Sequence, residues 1–180
     1  MTAPPIRATY SLVDHHGVGV TEATYRGRWQ LVRFGFTACR VVCPRALDLL
    51  DDVLDRLGAA AAAVVPLYVT VDPGRDTPDR MRSHLAATHP RFTGLTGTAE
   101  QTGDAAAAFR VFTRRRDTPD GYDVQHTAMT YLLDPAAVPA RFWPDTRDAA
   151  SIAADLAAVL TAAGTRPAGP TAPDGPMLPG

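Results

Sequence analysis

Short runs of apolar residues recur along the chain at spacings that predict β-strands. The segment YSLVDHHGVGVTEA, residues 10–23, alternates between apolar and polar positions on both sides of a His-Gly turn, which predicts a β-hairpin. Two longer apolar runs follow, WQLVRFGF at 29–36 and VVPLYVTVD at 64–72, and both are typical of buried strands. A further strand is predicted over TAMTYLLDP, 127–135, with ARFW, 140–143, as its antiparallel neighbour.

Helical periodicity separates the two central strands and continues after them. Pro44 suits the first position of a helix, because its missing N–H would have no partner there. Leucines at three- and four-residue spacing extend this helix to about residue 62: Leu47, Leu50, Leu54 and Leu57. A second helix is predicted to begin after the N-cap residue Thr77, with Pro78 at its first position.

Two more helices are predicted in the second half of the chain. The sequence TAEQ, 98–101, has the capping-box pattern, and the helix that it begins is expected to run through Phe109 and Phe112. The run RRR, 114–116, is expected to close this helix, since cations stabilise the negative end of the helix dipole. The last helix has an apolar face formed by Ile152, Leu156, Val159 and Leu160.

The order of these elements predicts an α/β protein with a thioredoxin-like, three-layer fold. Residues 29–72 form a β-α-β unit, which requires parallel strands and a right-handed crossover. An intervening helix and a β-β-α half complete the thioredoxin order, enlarged here by an N-terminal β-hairpin extension and one extra helix. A single domain is predicted over residues 1–163, followed by a disordered Pro/Gly-rich tail over 164–180.

Composition narrows the classes of function. The chain has 180 residues, of which 46% are hydrophobic and 21% charged, as expected for one domain with a sizeable core. A formal net charge of -1 gives no electrostatic support for nucleic-acid binding. No segment approaches the roughly 18 apolar residues of a membrane span. The N-terminal segment has no apolar stretch of the signal-peptide kind, so the sequence as written predicts a cytoplasmic location.

The chain has only two cysteines, Cys39 and Cys43, in the segment FGFTACRVVCP. We expect Cys39 in the loop after the first central strand and Cys43 within the first turn of the next helix, at its N-cap. The helix dipole at Cys43 and the cation of Arg40 should both favour the thiolate and lower the thiol pKa. Residues i and i+4 share one face of a helical turn, so the two sulfurs could form a disulfide or bind one metal ion.

The donor types favour a soft metal. Two thiolates suit Cu(I), whereas structural zinc wants four protein ligands and few other donors lie near the pair. His126 is a plausible third donor, because it begins a strand expected to lie beside the cysteine helix. His15 and His16 are interpreted as solvated turn residues, with a weak auxiliary copper site as the alternative. His84 and His89 flank the end of a helix, where the dipole favours them.

Four segments together resemble one known family. FGFTACRVVCP (34–44), YVTVDPGRDTP (68–78), PRFTGLTGT (90–98) and HTAMTYLLDP (126–135) are similar to the motifs of the Sco/SenC family, in the same order. The resemblance extends over residues 10–160, and the four motifs in combination are specific. The family comprises thioredoxin-like copper chaperones that help to assemble the binuclear copper centre of cytochrome c oxidase.

This resemblance implies a set of site residues and partners. It implies that Cys39, Cys43 and His126 bind copper, as Cu(I) or Cu(II), and that Asp72 supports the site. Cys39 and Cys43 would also be the catalytic redox pair if the protein is an enzyme. The implied partners are a cytochrome c oxidase subunit or another copper protein, and a thiol reductase. Family members are usually held in the periplasm or at an outer membrane face by an N-terminal anchor, which this sequence does not show.

The residues between the cysteines depart from the family pattern, and other functions remain open. Members often carry proline and then an acidic residue after the first cysteine, whereas this chain has Arg40 and Val41, which make the site more cationic. The main alternative is a thiol-disulfide oxidoreductase acting through the C-x-x-x-C pair, with His126 incidental. A further alternative is a redox or copper sensor that acts through a partner.

Overall fold

The sheet at the centre of the computed structural model has seven strands, and the structure describes residues 6–119 and 121–164. The described strands, of which β6 and β7 form a separate two-stranded sheet, are β1 (Ser11–Asp14), β2 (Gly19–Thr21), β3 (Trp29–Gly35), β4 (Val64–Thr70), β5 (Thr93–Thr96), β6 (Thr113–Thr118), β7 (Gly121–His126), β8 (Met129–Leu133) and β9 (Pro139–Pro144). The helices are α1 (Val42–Leu57), α2 (Pro78–Thr88), α3 (Ala99–Ala108) and α4 (Ala149–Gly164). The spatial order in the large sheet is β2-β1-β5-β4-β3-β8-β9.

Strand β3 lies between a parallel and an antiparallel neighbour. It pairs in parallel with β4 and antiparallel with β8, and β4 continues in parallel to β5. The predicted β-α-β unit, the N-terminal hairpin β1–β2 and the antiparallel pair β8–β9 are all present. The mixed α/β fold of thioredoxin-like type is therefore confirmed.

Two apolar cores cover the two faces of this sheet. One core packs α1, α2 and α4 against the sheet through buried residues such as Leu50, Leu85 and Leu156. The other packs α3 against the opposite face through Phe34, Phe109 and their neighbours. Because β3 and β4 are buried along their whole length, the loops that follow their carboxyl ends are held on a rigid base.

Helix boundaries differ from the sequence prediction in α1. The helix begins at Val42, so Cys39 lies in the loop and Cys43 inside the first helical turn, as predicted. The N-cap residue is Val41, so the narrower prediction of Cys43 as N-cap was wrong. Pro44 is still tolerated, because the first four N–H groups of a helix have no intrahelical partner. The α-helix ends at Leu57, and a 3-10 helix over Gly58–Ala63 continues to about the predicted end.

The segment after α3 differs most from the prediction. Helix α3 has the predicted capping box at Thr98 but ends at Ala108, and Phe112 is exposed. Residues 114–116 do not close a helix: they lie in β6, which pairs only with β7 in a separate two-stranded sheet. His126 consequently ends β7 and does not begin β8, contrary to the prediction. Apart from Gly164, the predicted tail lies outside the described residues.

Candidate metal centre

The loop after β3 places the two cysteines at the start of α1. The backbone N–H of Cys39 donates to the carbonyl oxygen of Phe36 over 3.3 Å, which turns the chain back towards the helix. The backbone N–H of Cys43 donates to Cys39 Sγ, also over 3.3 Å. Val41 makes no side-chain cap, so the Cys39 sulfur takes the place of an N-cap oxygen at this helix end. The two cysteines do not form a disulfide.

His126 approaches the pair from the opposite side. Its Nε2 atom lies 3.7 Å from Cys43 Sγ, although the two residues are 83 positions apart in the sequence. Its Nδ1 atom donates to the carbonyl oxygen of Thr127 over 3.0 Å, which fixes the orientation of the ring. This hydrogen bond leaves the Nε2 lone pair directed at Cys43, as a metal ligand requires.

The electrostatics of the two cysteines are opposite. Hydrogen bonds from the Cys43 side chain and from the backbone N–H groups of residues 41–43 lower the pKa of Cys39 to about 5. The hydrogen bond that Cys43 makes to Cys39, together with burial, raises the pKa of Cys43. The helix terminus therefore stabilises the thiolate of Cys39, and the prediction of a lowered pKa for Cys43 was wrong.

Burial lowers the pKa of His126, so its ring is neutral at physiological pH. At neutral pH the site therefore holds one thiolate on Cys39, one thiol on Cys43 and one neutral imidazole. Two of the three groups are already in the form that binds a metal ion, and Cys43 loses its proton when one binds.

Cys43 is the centre of this group. The Cys39 sulfur contacts the backbone N–H of Cys43, and His126 contacts the Cys43 sulfur. In the described residues, no group of three or more His, Cys, Asp or Glu side chains is arranged to hold a metal ion as it stands. The geometry brings all three sequence-predicted ligands to one place.

A buried carboxylate missed by the sequence reasoning holds the cysteine loop. Asp76 is fully buried and accepts hydrogen bonds from Thr37 N (3.0 Å), Thr37 Oγ1 (2.5 Å) and Thr70 Oγ1 (2.7 Å). It therefore ties the loop before Cys39 to the end of β4. In the sequence, Asp76 was one unremarked residue of the segment YVTVDPGRDTP, and neither that segment nor its turn-forming composition identifies a partner 39 residues away.

Asp72 has a different set of contacts from the cysteines. Its carboxylate is paired with the guanidinium of Arg75 and accepts a hydrogen bond from Tyr122 Oη at 2.8 Å. Arg75 also donates to the carbonyl oxygen of Tyr122 over 3.1 Å. Asp72 thus connects the loop after β4 to β7, the strand that carries His126.

His15, His16 and His89 have structural partners. His15 Nδ1 accepts a hydrogen bond from the Gly94 N–H at 3.0 Å, which places the proton of the neutral ring on Nε2. That proton points at His16 Nε2, 3.0 Å away, so the two rings do not offer two free lone pairs to a copper ion. His89 is the C-cap of α2 and contacts Asp48 Oδ1 at 3.1 Å.

The fold and site together define a class of protein. A C-x-x-x-C pair at the start of the helix after the first central strand, faced by a histidine from a later strand, is a thiol or metal centre on a thioredoxin-like fold. The chain belongs to the SCO1/SenC family, whose model matches residues 1–161.

Individual relatives agree with this assignment. Protein sco1 of Schizosaccharomyces pombe is 38% identical over 137 residues, which are 73% of this chain and 52% of that protein. The chain thus spans about half the length of the curated relatives it matches. The crystal structure of Arabidopsis thaliana ScoI with copper bound has a TM-score of 0.83 and 30% identity, covering 88% of this chain and 99% of that one. Bradyrhizobium japonicum ScoI with copper bound has a TM-score of 0.77 and 33% identity, covering 84% and 98%.

Proposed function

We propose that this protein binds one Cu(I) ion through Cys39, Cys43 and His126 and delivers it to another metalloprotein. The observation that carries the proposal is the 3.7 Å approach of His126 Nε2 to Cys43 Sγ, with the Cys39 sulfur accepting the backbone N–H of Cys43 from the loop before the helix. Two thiolates and one imidazole are soft or intermediate donors that suit Cu(I). Related structures contain copper, which supports the same cargo here.

The recipient that we propose is the copper centre of cytochrome c oxidase. Sco proteins are a family of cytochrome c oxidase assembly proteins, and this chain belongs to the SCO1/SenC family. Cys39 is half-buried whereas Cys43 is buried, so an incoming ligand from the recipient reaches the Cys39 side of the ion first. Stepwise replacement of ligands from that side would transfer the ion without releasing it to water.

None of the helices in the part of the chain that the structure describes could cross a membrane.

Competition against a Cu(I) chelator of known affinity tests the copper site. Wild type should bind one ion per chain. His126→Ala should bind Cu(I) at least about tenfold to a hundredfold more weakly, the loss typical of residues that only orient a ligand. It should stay folded, because His126 is partly exposed and is not one of the buried core residues. Replacing both cysteines by serine should abolish tight binding, since the hydroxyl is a poor ligand for Cu(I). Wild type that fails to compete but binds Zn(II) tightly would contradict the copper assignment.

The second candidate is a thiol-disulfide oxidoreductase, favoured by the unequal cysteine pKa values. The Cys39 thiolate would attack a substrate disulfide, forming a mixed disulfide and releasing one substrate thiolate. Cys43 would then lose its proton and attack the Cys39 sulfur, which forms a Cys39–Cys43 disulfide and releases the second substrate thiolate. Substrate turnover that His126→Ala leaves unchanged would favour this function over copper delivery.

The redox state of the pair connects the two candidates. We expect Cys39 and Cys43 to form an intramolecular disulfide under mild oxidation, and copper to bind only after reduction, because the thiolate is the species that coordinates. Thiol counting before and after oxidation measures this. Two thiols that stay unreacted under an oxidant able to oxidise ordinary dithiols would contradict the expectation.

A further inference from the structure

The position of His126 depends on a strand that lies outside the large sheet. Among the residues that the structure describes, strand β7 pairs only with β6, and no backbone ladder joins this hairpin to the seven-stranded sheet that supports the cysteines. The distance between His126 and the cysteines is therefore set by side-chain contacts of the hairpin and by its short connection to β8.

Tyr122 makes the most extensive of these contacts. Its ring lies between two guanidinium groups, with Arg75 Cζ 4.0 Å and Arg115 Cζ 3.8 Å from the ring centroid. Its hydroxyl donates to Asp72 Oδ1 over 2.8 Å, and its carbonyl oxygen accepts from Arg75 Nη1 over 3.1 Å. The ring, the hydroxyl and the backbone of Tyr122 are thus all held by the loop after β4 or by the neighbouring strand.

Arg75 connects this contact to the metal centre. Its Cζ atom lies 5.7 Å from the centroid of the Phe36 ring, and the Phe36 and His126 rings meet edge to face with centroids 6.1 Å apart. The ion pair with Asp72 neutralises Arg75, so the guanidinium serves as a packed planar group. One side chain therefore contacts both the β7 strand and the ring that packs on His126.

Tyr122 and His126 lie on the same face of β7, so contacts that hold Tyr122 also help to hold His126. Residues 122, 124 and 126 share one face of β7, because successive side chains alternate between faces. Val124 is buried in the core beneath this face, so Tyr122 and Val124 fix two of the three positions. The third position carries the Nε2 atom that faces Cys43.

From these contacts we propose that Tyr122 and Arg75, braced by Asp72, are positioning residues that hold His126 against the cysteine pair. The inference rests on the proposed function, because it assigns these residues a part in forming the same site. Without the stack, the hairpin keeps its own ladder but its histidine end loses its fixed distance to Cys43.

A double-mutant cycle tests the proposal through Cu(I) affinity. Tyr122→Leu removes the stack and the hydroxyl, and it should weaken Cu(I) binding by about tenfold, as for other residues that orient metal ligands. In a His126→Ala background the same substitution should have no further effect, because its effect acts through His126. Arg116→Gln is the matched control: it changes the hairpin on the opposite face and should leave affinity unchanged.

A second measurement needs no metal. Modification of His126 by diethyl pyrocarbonate, located by mass spectrometry, should be several-fold faster in reduced apo Tyr122→Leu than in wild type. Tyr122→Phe keeps the stacked ring and loses only the bond to Asp72, so it should fall between the two. If circular dichroism shows that Tyr122→Leu does not fold, the rate of His126 modification in Tyr122→Phe tests the proposal in its place.

The outcomes separate this proposal from the copper function. If the wild-type protein does not bind Cu(I), the proposed function is wrong. Faster His126 modification in Tyr122→Leu would still support the positioning role in that case. Equal affinity and equal modification rates in Tyr122→Leu and wild type would overturn it. Equal loss of affinity in the wild-type and His126→Ala backgrounds would also overturn it, because Tyr122 would then act through the cysteines.

Discussion

At the scale of single residues, the two cysteines differ in burial, charge and accessibility. Cys39 is half-buried and accepts N–H groups at the start of α1, whereas Cys43 points into the core beside Leu47 and its neighbours. The same helix end thus supports a thiolate on one sulfur and a thiol on the other. In a family of metal-binding proteins, this asymmetry gives the pair a defined outer and inner sulfur.

The pKa of Cys39 leads to a prediction for thiol reactivity. Because the pKa of Cys39 is lowered to about 5, the residue is a thiolate above that pH and becomes a thiol as the pH falls through it. The rate of alkylation by iodoacetamide should therefore stay nearly constant from about pH 8 to about pH 6 and fall below about pH 5. An ordinary thiol would instead lose reactivity below its reference pKa of about 8.5.

Mass spectrometry should locate the alkylation on Cys39. In Cys39→Ser, the remaining Cys43 should react slowly at all these pH values, because its burial limits access to the sulfur and disfavours the thiolate. Alkylation of the wild type that follows an ordinary thiol titration would contradict the lowered pKa.

Gly35 illustrates how a single missing side chain shapes the site. A Cβ atom at Gly35 would lie 2.4 Å from Tyr68 Oη and 2.6 Å from Tyr68 Cε2, both in a fully buried ring. Gly35→Ala should destabilise the protein by about 1–3 kcal/mol, since Tyr68 or β3 must shift in a packed core. Gly103→Ala is the control: nothing lies within 4 Å of that Cβ, and alanine in a helix should stabilise by about 0.5–1 kcal/mol. Urea unfolding measures both variants, and equal effects would refute the steric argument.

At the scale of elements, one loop is held by another. Asp76 accepts three hydrogen bonds from Thr37 and Thr70, so the turn after β4 fixes the turn after β3. Asp76→Ala would leave these donors without an acceptor, at about 1–3 kcal/mol for each group that stays buried. We expect a total loss of about 3 kcal/mol in the free energy of unfolding. Asp79→Ala, which removes an exposed partner of Arg82, should cost less than about 1 kcal/mol.

The sequence predicted those elements that bury an apolar face. Strands β3 and β4 and helix α1 were predicted because burial selects their apolar residues, and the caps at Thr77 and Thr98 follow from local hydrogen bonding. Strand β6 was missed because all six of its residues are exposed, so no apolar alternation marks it. Its arginines were attributed to a helix end for the same reason.

The candidate site was predicted in composition but not in detail. Residue types and spacing, with the family resemblance, were enough to single out Cys39, Cys43 and His126. The order of the cysteine pKa values was not predictable, because it depends on which sulfur faces the free N–H groups of α1. Asp76 was not predictable either, since its partners are set by how two distant loops meet.

At the scale of the whole molecule, an ion pair with a buried arginine joins the first central strand to the segment before the last helix. Arg33 on β3 is fully buried and pairs with Asp145, which lies between β9 and α4 and keeps 27% of its side chain exposed. The two residues are 112 positions apart, and their second contact, Arg33 Nη2 to Asp145 Oδ2, measures 2.7 Å. This pair therefore fixes the segment between β9 and α4 to the central strand β3.

Breaking this pair should be costly for the entire fold. Asp145→Ala would leave the Arg33 guanidinium buried without its carboxylate, which costs about 3 kcal/mol or more. Chemical unfolding should show one cooperative transition at lower urea concentration. Arg33→Leu with Asp145→Leu should recover much of the loss, because a well-packed apolar pair removes the buried charge. A double variant as unstable as Asp145→Ala would contradict this account.

The independence of the β6–β7 hairpin has a consequence for how such a site can evolve. The cysteines are constrained by a core that tolerates little change, whereas the histidine belongs to a hairpin that can be substituted without altering the strand register of the large sheet. Donor spacing can therefore drift in small steps while the scaffold is conserved. Substitution of the side chains that seat the hairpin, such as Tyr122, is accordingly a route to engineering new metal selectivity into this scaffold.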